Sequence, residues 1–213
     1  EECMQRHGGR TPVKLFSDLG AFDTRTTAAH CVWITEEDRE ILADRGVTVA
    51  TCPVSNLKLA SGIADIPALF EKGINVAIGT DSVASNNSLN FVEEMKFFAL
   101  LNKAKHGDPT LVTPRQTLRA ATFAGAWAQG REDCGVLKKG NRADLIVLDL
   151  SVPHMRPVHD LATNVVYSAS GSDVLLTMCD GKILYQDGAF LTVDIEKAVA
   201  ETENACKKIL ESL

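Results

Sequence analysis

The stretch INVAIGTD, residues 74–81, is an apolar run that finishes on a carboxylate. Burying a carboxylate is expensive unless it is paired or binds a metal, so Asp81 marks a place where something is held. The run has the length of one buried strand, and two similar units precede it. TTAAHC, residues 26–31, leads to a helix in which Thr35 and Asp38 form a capping box, Ile41 and Leu42 give the apolar face and Gly46 is the stop. VTVATCP, residues 47–53, leads through a loop, VSNLKLASGIA, to the helical DIPALFEKG, which stops at Gly73. INVAIGTD itself leads through a loop, SVASNNSL, to a longer helix capped by Asn90 and Glu93, with Phe91, Met95, Phe98 and Leu101 along one face.

Three βα units in succession predict an α/β fold with a parallel sheet, either an open doubly wound sheet or a (β/α)8 barrel. Both gather chemistry at the carboxyl ends of their strands. Here those ends carry His30, Cys31, Thr51, Cys52, Thr80 and Asp81, which are expected to surround one crevice. A further helix starts at Thr113 with Pro114 in its first position and Gln116 completing a capping box, and is expected to run to about Gln129. Beyond about residue 131 the pattern changes to short strands with turns at Lys139-Gly140, Asp180-Gly181 and Asp187-Gly188. From Asp194 onward Ile195, Val199, Cys206, Ile209 and Leu213 keep helical spacing, as expected of a closing helix that covers its own core.

The chain has 213 residues, 45% hydrophobic and 23% charged, as expected of a globular protein. Its net charge of −6 and lack of a basic cluster argue against a nucleic-acid partner. No apolar run has the length of a membrane span, and the N-terminal EECMQRHGGR has no signal-like apolar core. The six cysteines show no zinc-finger spacing and read as free thiols of a cytoplasmic protein. The sequence begins at Glu1 without an initiator methionine, as expected of part of a longer gene product.

His30 and Asp81 are two βα units apart, so both side chains can converge on one crevice. A carboxylate and an imidazole there suit metal-assisted hydrolysis, the carboxylate ligating the ion and taking a proton from its water, the imidazole stabilising the attacked substrate. From spacing alone, Asp81 as a loop cap and His30 as a hydrogen-bonded core histidine fit equally. His154 and His159, in PHMRPVHD, read as a structural segment, and Cys31 and Cys52 as buried thiols rather than ligands. Lys138-Lys139-Gly140 lacks the spacing of a phosphate loop.

The segments AHCVWITEED, CPVSNLKLASGIADIPALFEKGINVAIGTDSVASNNSLNFVEEMK, GVLKKGNRADLIVLDL and PHMRPVHDLATNVVYSASGSDVLLTMCDGKIL resemble the C-terminal portion of the amidohydrolase superfamily. The nearest branch is that of the methylthioadenosine/S-adenosylhomocysteine deaminases and the related chlorohydrolases. The resemblance implies strands six to eight of a (β/α)8 barrel over residues 1–130, then part of a small β-sandwich and a C-terminal helix over residues 131–213. It implies an enzyme that hydrolyses a C–N bond of a small heterocyclic substrate of adenosine type and releases ammonia. Asp81 matches the strand-eight aspartate that ligates the metal and shuttles protons, and His30 the strand-six histidine that contacts substrate or metal-bound water. Ser55, Asn56, Ser85, Asn86 and Asn87 match residues of loops over the site mouth, of which Ser55, Asn56, Ser85 and Asn86 are expected, with His30, to contact the substrate, while Trp33 stands where many relatives carry histidine. The family's metal is a divalent ion, zinc first, with iron or manganese as alternatives. Its H-x-H and H-x-x-E segments are absent here, so this chain alone is expected neither to retain the metal nor to be active. The missing N-terminal part of the barrel, or a second copy, is the expected partner. The reading from another class is a non-catalytic half-barrel scaffold whose open strand edges pair with another chain.

Overall fold

The computed structural model describes residues 2–212. Helices α1 (Glu2–Arg6) and α2 (Pro12–Asp18) lead to the parallel strands β1 (Thr27–Ala29), β2 (Thr48–Thr51) and β3 (Val76–Ile78). The strands lie side by side in sequence order, with Ala29 opposite Ala50 and Thr51 opposite Ile78. α3 (Glu36–Asp44) returns the chain from β1 to β2, and α5 (Ile66–Glu71) from β2 to β3. The Thr35–Asp38 capping box forms as its sequence implies, and Gly46 adopts a left-handed φ of 63° at the stop. Val49, Leu42, Ile66, Leu69, Val76 and Phe98 make a core in which each is at most 2% exposed. Their burial supplies the drive for this layer, roughly 1.5–3 kcal/mol for each large side chain.

After β3 the chain forms α7 (Phe91–His106), α8 (Pro114–Ala121) and α9 (Phe123–Ala128); the one-turn α6 (Val83–Asn86) precedes them, and α4 (Pro53–Lys58) precedes α5. An antiparallel sheet follows in the order β4 (Leu145–Leu148), β5 (Val174–Cys179), β6 (Lys182–Gln186), β7 (Ala189–Phe190), with α10 (Leu161–Tyr167) inserted after β4. Positive φ at Asp180 and Gly181, and again at Asp187 and Gly188, gives the two-residue turns that sequence patterning implies. No helix among the described residues is long and apolar enough to cross a membrane.

Four expectations need correction. The loops read over residues 54–64 and 82–89 contain the short helices α4 and α6; α4 starts with Pro53 in its first helical position, and α6 follows Ser82, whose Oγ accepts from Ala84 N–H. Asn90 precedes α7 but makes no side-chain cap bond; its Oδ1 is buried without a partner. The helix starting at Thr113 forms its capping box but breaks at Thr122. There Gly135 crosses so closely that a Cβ would stand 2.8 Å from Phe123 Cα. Finally, α11 (Ile195–Glu211) covers no core: it has no buried residue, and Ile195, Val199, Ile209 and Leu210 are 45–71% exposed.

Candidate active site

The three parallel strands end at one edge. There β1 delivers His30, whose N–H bonds Ala50 O (2.8 Å), and β3 delivers Gly79, whose N–H bonds Thr51 O (2.9 Å). Gly79 lies so close to Cys52 that a Cβ would stand 3.2 Å from its Sγ, and two residues later the chain presents Asp81. His30, Cys31 and Asp81 all have left-handed backbones, with φ of 65°, 46° and 59°. Such conformations are unfavourable for non-glycine residues and gather where a fold holds side chains for function.

His30 Nε2 lies 3.9 Å from Asp81 Oδ2, with the two side chains 41% and 32% exposed. Both are oriented from α4. Ser55 Oγ donates to Asp81 Oδ2 (2.7 Å), and Asn56 Oδ1 lies 2.9 Å from His30 Nδ1. Asp81 also accepts from Ser82 N–H (2.8 Å) and Ser85 Oγ (2.9 Å). The Ser55 hydroxyl foremost, then the Ser82 amide and the Ser85 hydroxyl, hold the Asp81 carboxyl below its ordinary pKa, so it is ionised at neutral pH. Ser55 and Asn56 line the cleft over this pair although only 1% and 4% of their surface is exposed.

The cleft over this pair has a volume of about 430 Å³; Val32, Trp33, Leu59 and Ser61 form its other walls. Trp33 is 85% exposed and donates from Nε1 to Ser61 O (2.8 Å). Its ring lies over Gly62, where φ is +110° and a Cβ would stand 2.9 Å from Val32 Cγ1. Only glycine lets the backbone pass there.

Asn86 turns away from the cleft. Its Nδ2 donates to Thr80 O (2.7 Å) and to Glu94 Oε1 (2.5 Å), and Glu94 Oε2 accepts from Val54 N–H (3.2 Å). Glu94 therefore ties the start of α4 to the turn that carries Asp81. Sequence reasoning missed it, although it falls on the inward stripe of α7 with Met95 and Phe98, where a carboxylate is out of place. Lys58 braces the same two segments by donating to Ala84 O (3.2 Å) and Asn87 Oδ1. Asn87 itself, with φ 65°, ends α6.

Of the other candidates, His154 takes no part in the cleft, whereas Cys31 and Cys52 lie beside it. His154 Nε2 pairs with the buried Asp173 (2.8 Å), tying the segment after β4 to the start of β5. Burial, with Asp38 adding to it for Cys31 and Asp81 and Glu94 for Cys52, pushes each thiol up to about 11, which leaves both as thiols at neutral pH. Among the described residues no three His, Cys, Asp or Glu side chains converge as a metal site. Since a catalytic zinc takes three protein ligands, the donors among the described residues do not by themselves fit one.

The amidohydrolase family profile matches residues 1–184. The 5'-deoxyadenosine deaminase of Methanosarcina mazei is 44% identical over 208 residues, which are 98% of this chain and 48% of that protein. The 5-methylthioadenosine/S-adenosylhomocysteine deaminase of Moorella thermoacetica is 46% identical over 209 residues, 98% of this chain and 49% of that protein. Among solved structures, a zinc-bound adenosine deaminase from Xanthomonas campestris superposes with a TM-score of 0.94 at 36% identity, covering 99% of this chain and 48% of the other. The zinc complex of atrazine chlorohydrolase TrzN from Arthrobacter aurescens gives 0.87 at 29% identity, covering 95% of this chain and 45% of the other. The chain thus spans about half the length of the relatives it matches.

Proposed function

Because this chain belongs to the amidohydrolase family, we propose that it is the C-terminal part of a metal-dependent deaminase that hydrolyses a C–N bond of an adenosine-type heterocycle. The observation that carries the reading is the convergence of Asp81 and His30 at one strand edge, 3.9 Å apart, in a chain 44–46% identical to curated deaminases of 5'-deoxyadenosine and methylthioadenosine. Residues 1–130 then form the last three βα units of a (β/α)8 barrel and residues 131–213 part of a β-sandwich with its helix. The in-order parallel strands and the fit to half of the Xanthomonas enzyme support this division. The six free thiols support a cytoplasmic setting.

In the reaction, the oxygen of water bonds to the ring carbon that bears the amino group, and the C–N bond then breaks to release ammonia. Asp81, ionised through its Ser55, Ser82 and Ser85 bonds, accepts a proton from the attacking water and returns one to the departing nitrogen. His30 faces the same reacting oxygen, while Ser55, Asn56 and Ser85 hold the two groups in place. Asp81 would be one ligand of a divalent metal, zinc by the company of the zinc-bound relatives, which would supply acidity to the attacking water. Its remaining ligands would come from an N-terminal barrel half or from a second copy, so a single copy of these residues would be inactive.

The test joins residues 1–213 to the N-terminal half of the Methanosarcina mazei deaminase and follows conversion of 5'-deoxyadenosine by ultraviolet absorbance. The fusion is expected to turn over, and Asp81→Asn or His30→Ala to lower kcat at least 100-fold, the scale of a lost proton-transfer group. A folded, metal-loaded fusion without turnover overturns the deaminase reading and favours a non-catalytic scaffold. Near-normal turnover of either variant overturns the assigned roles.

A further inference from the structure

We propose that Asn56 is a positioning residue that holds His30 as its Nδ1–H tautomer and thereby turns the Nε2 lone pair into the cleft above Asp81. A neutral imidazole carries one N–H, and the partner of one ring nitrogen decides which. Asn56 Oδ1 can only accept, and it lies 2.9 Å from His30 Nδ1. With the amide oriented as it is, the opposite tautomer would set two lone pairs against each other beside a side chain only 4% exposed.

The backbone that carries the amide has little freedom to move away. It lies in α4, where Val54 N–H is bound by Glu94 and Lys58 reaches across to Ala84 O. Behind it, Asn56 O accepts from Ser61 N–H (2.8 Å). Ser55, the preceding residue, orients Asp81 in the same way, so two consecutive side chains of one helix turn align both halves of the pair. With the proton held on Nδ1, Nε2 accepts a hydrogen bond from an O–H or N–H group in the cleft and donates none while the ring is neutral. His30 therefore selects an occupant that presents a donor at that point.

The inference rests on His30 being the imidazole of the proposed site, but its test needs no turnover. The probe is the 15N-labelled 213-residue chain in long-range 1H–15N correlation spectra at about pH 8, above the ordinary histidine range. The chain has five histidines, and His30→Gln identifies the signals of interest. The wild type is expected to show a protonated Nδ1 and an unprotonated Nε2. Asn56→Ala is expected to lower the ratio of Nδ1–H to Nε2–H roughly five- to tenfold, the weight of one net hydrogen bond. Asn56→Asp, which keeps an acceptor, is expected to preserve the Nδ1–H form, a rescue that a merely structural role would not produce. Nε2–H in the wild type, or an unchanged ratio in Asn56→Ala, overturns the proposal. If Asn56→Ala fails to fold, Asn56→Asp decides, since loss of the Nδ1–H form there overturns it as well. An inactive fusion enzyme leaves this result standing, and a failed tautomer leaves the fusion's turnover standing.

Discussion

Glu94 shows how one side chain can brace a site it does not touch. It is 1% exposed, and removal from water lifts its pKa above the ordinary 4.5, with the Val54 amide and the Asn86 amide pulling the other way. A carboxyl whose folded pKa exceeds its unfolded one leaves the native state holding more protons between the two values. Its stabilising contribution is therefore full below pH 4.5 and is lost as pH rises through the folded value. Chemical denaturation of wild type and Glu94→Gln across pH 4 to 8 is expected to give a steeper fall with pH in the wild type. The difference in slope is at most about 1.4 kcal/mol per pH unit, the limit for one proton; parallel curves would show that Glu94 is not the raised group. Asp81 and His30 could be read in the sequence because a polar residue ending an apolar strand is conspicuous. Glu94 was masked, because beside Glu93 in the first turn of α7 it looks like an ordinary acidic partner of the helix dipole, although its place on the stripe of Met95 and Phe98 turns it inward.

Capping was the most legible feature at the scale of elements, because it depends on side chains three residues apart and little else. The boxes at Thr35–Asp38 and Thr113–Gln116 form as their spacing implies. Asn90 has the same residue chemistry but makes no cap, because its Oδ1 is turned toward Gly171, where a Cβ would stand 3.0 Å from it. The two classes separate by mutation: Thr113→Ala is expected to cost about 1 kcal/mol in denaturant unfolding, whereas Asn90→Ala is expected to be within about 0.5 kcal/mol of neutral, since it removes an acceptor that has no partner. Equal losses would mean that Asn90 caps α7 in solution. Helices α4 and α6 were illegible for a different reason. With six and four residues they are too short to display a 3.6-residue period, so VSNLK and VASN read as loops although they carry the side chains that orient the site.

For the whole molecule, an α/β chain of three in-order parallel strands and a later antiparallel sheet was readable from βα rhythm and turn dipeptides. The exposure of α11 was not, because an apolar stripe states that a helix has a face to cover and not what covers it. The metal question belongs to this scale, since a catalytic zinc needs ligands gathered from several strand ends. Among the described residues Asp81 and His30 are joined by no third His, Cys, Asp or Glu donor. A ligand at 100 times its Kd stabilises the folded state by about 2.7 kcal/mol, which for a chain of this size raises Tm by roughly 5–10 °C. Thermal unfolding of the 213-residue chain is therefore expected to move by less than about 1 °C on adding a few equivalents of zinc at pH 7, and elemental analysis after dialysis to find well under one zinc per chain. In the fusion that restores an N-terminal half, the same zinc is expected to raise Tm by the larger amount and to lose that gain on Asp81→Asn. A stoichiometric, stabilising zinc in the chain alone would place a complete ligand set within these residues and would overturn the division of the site between two halves.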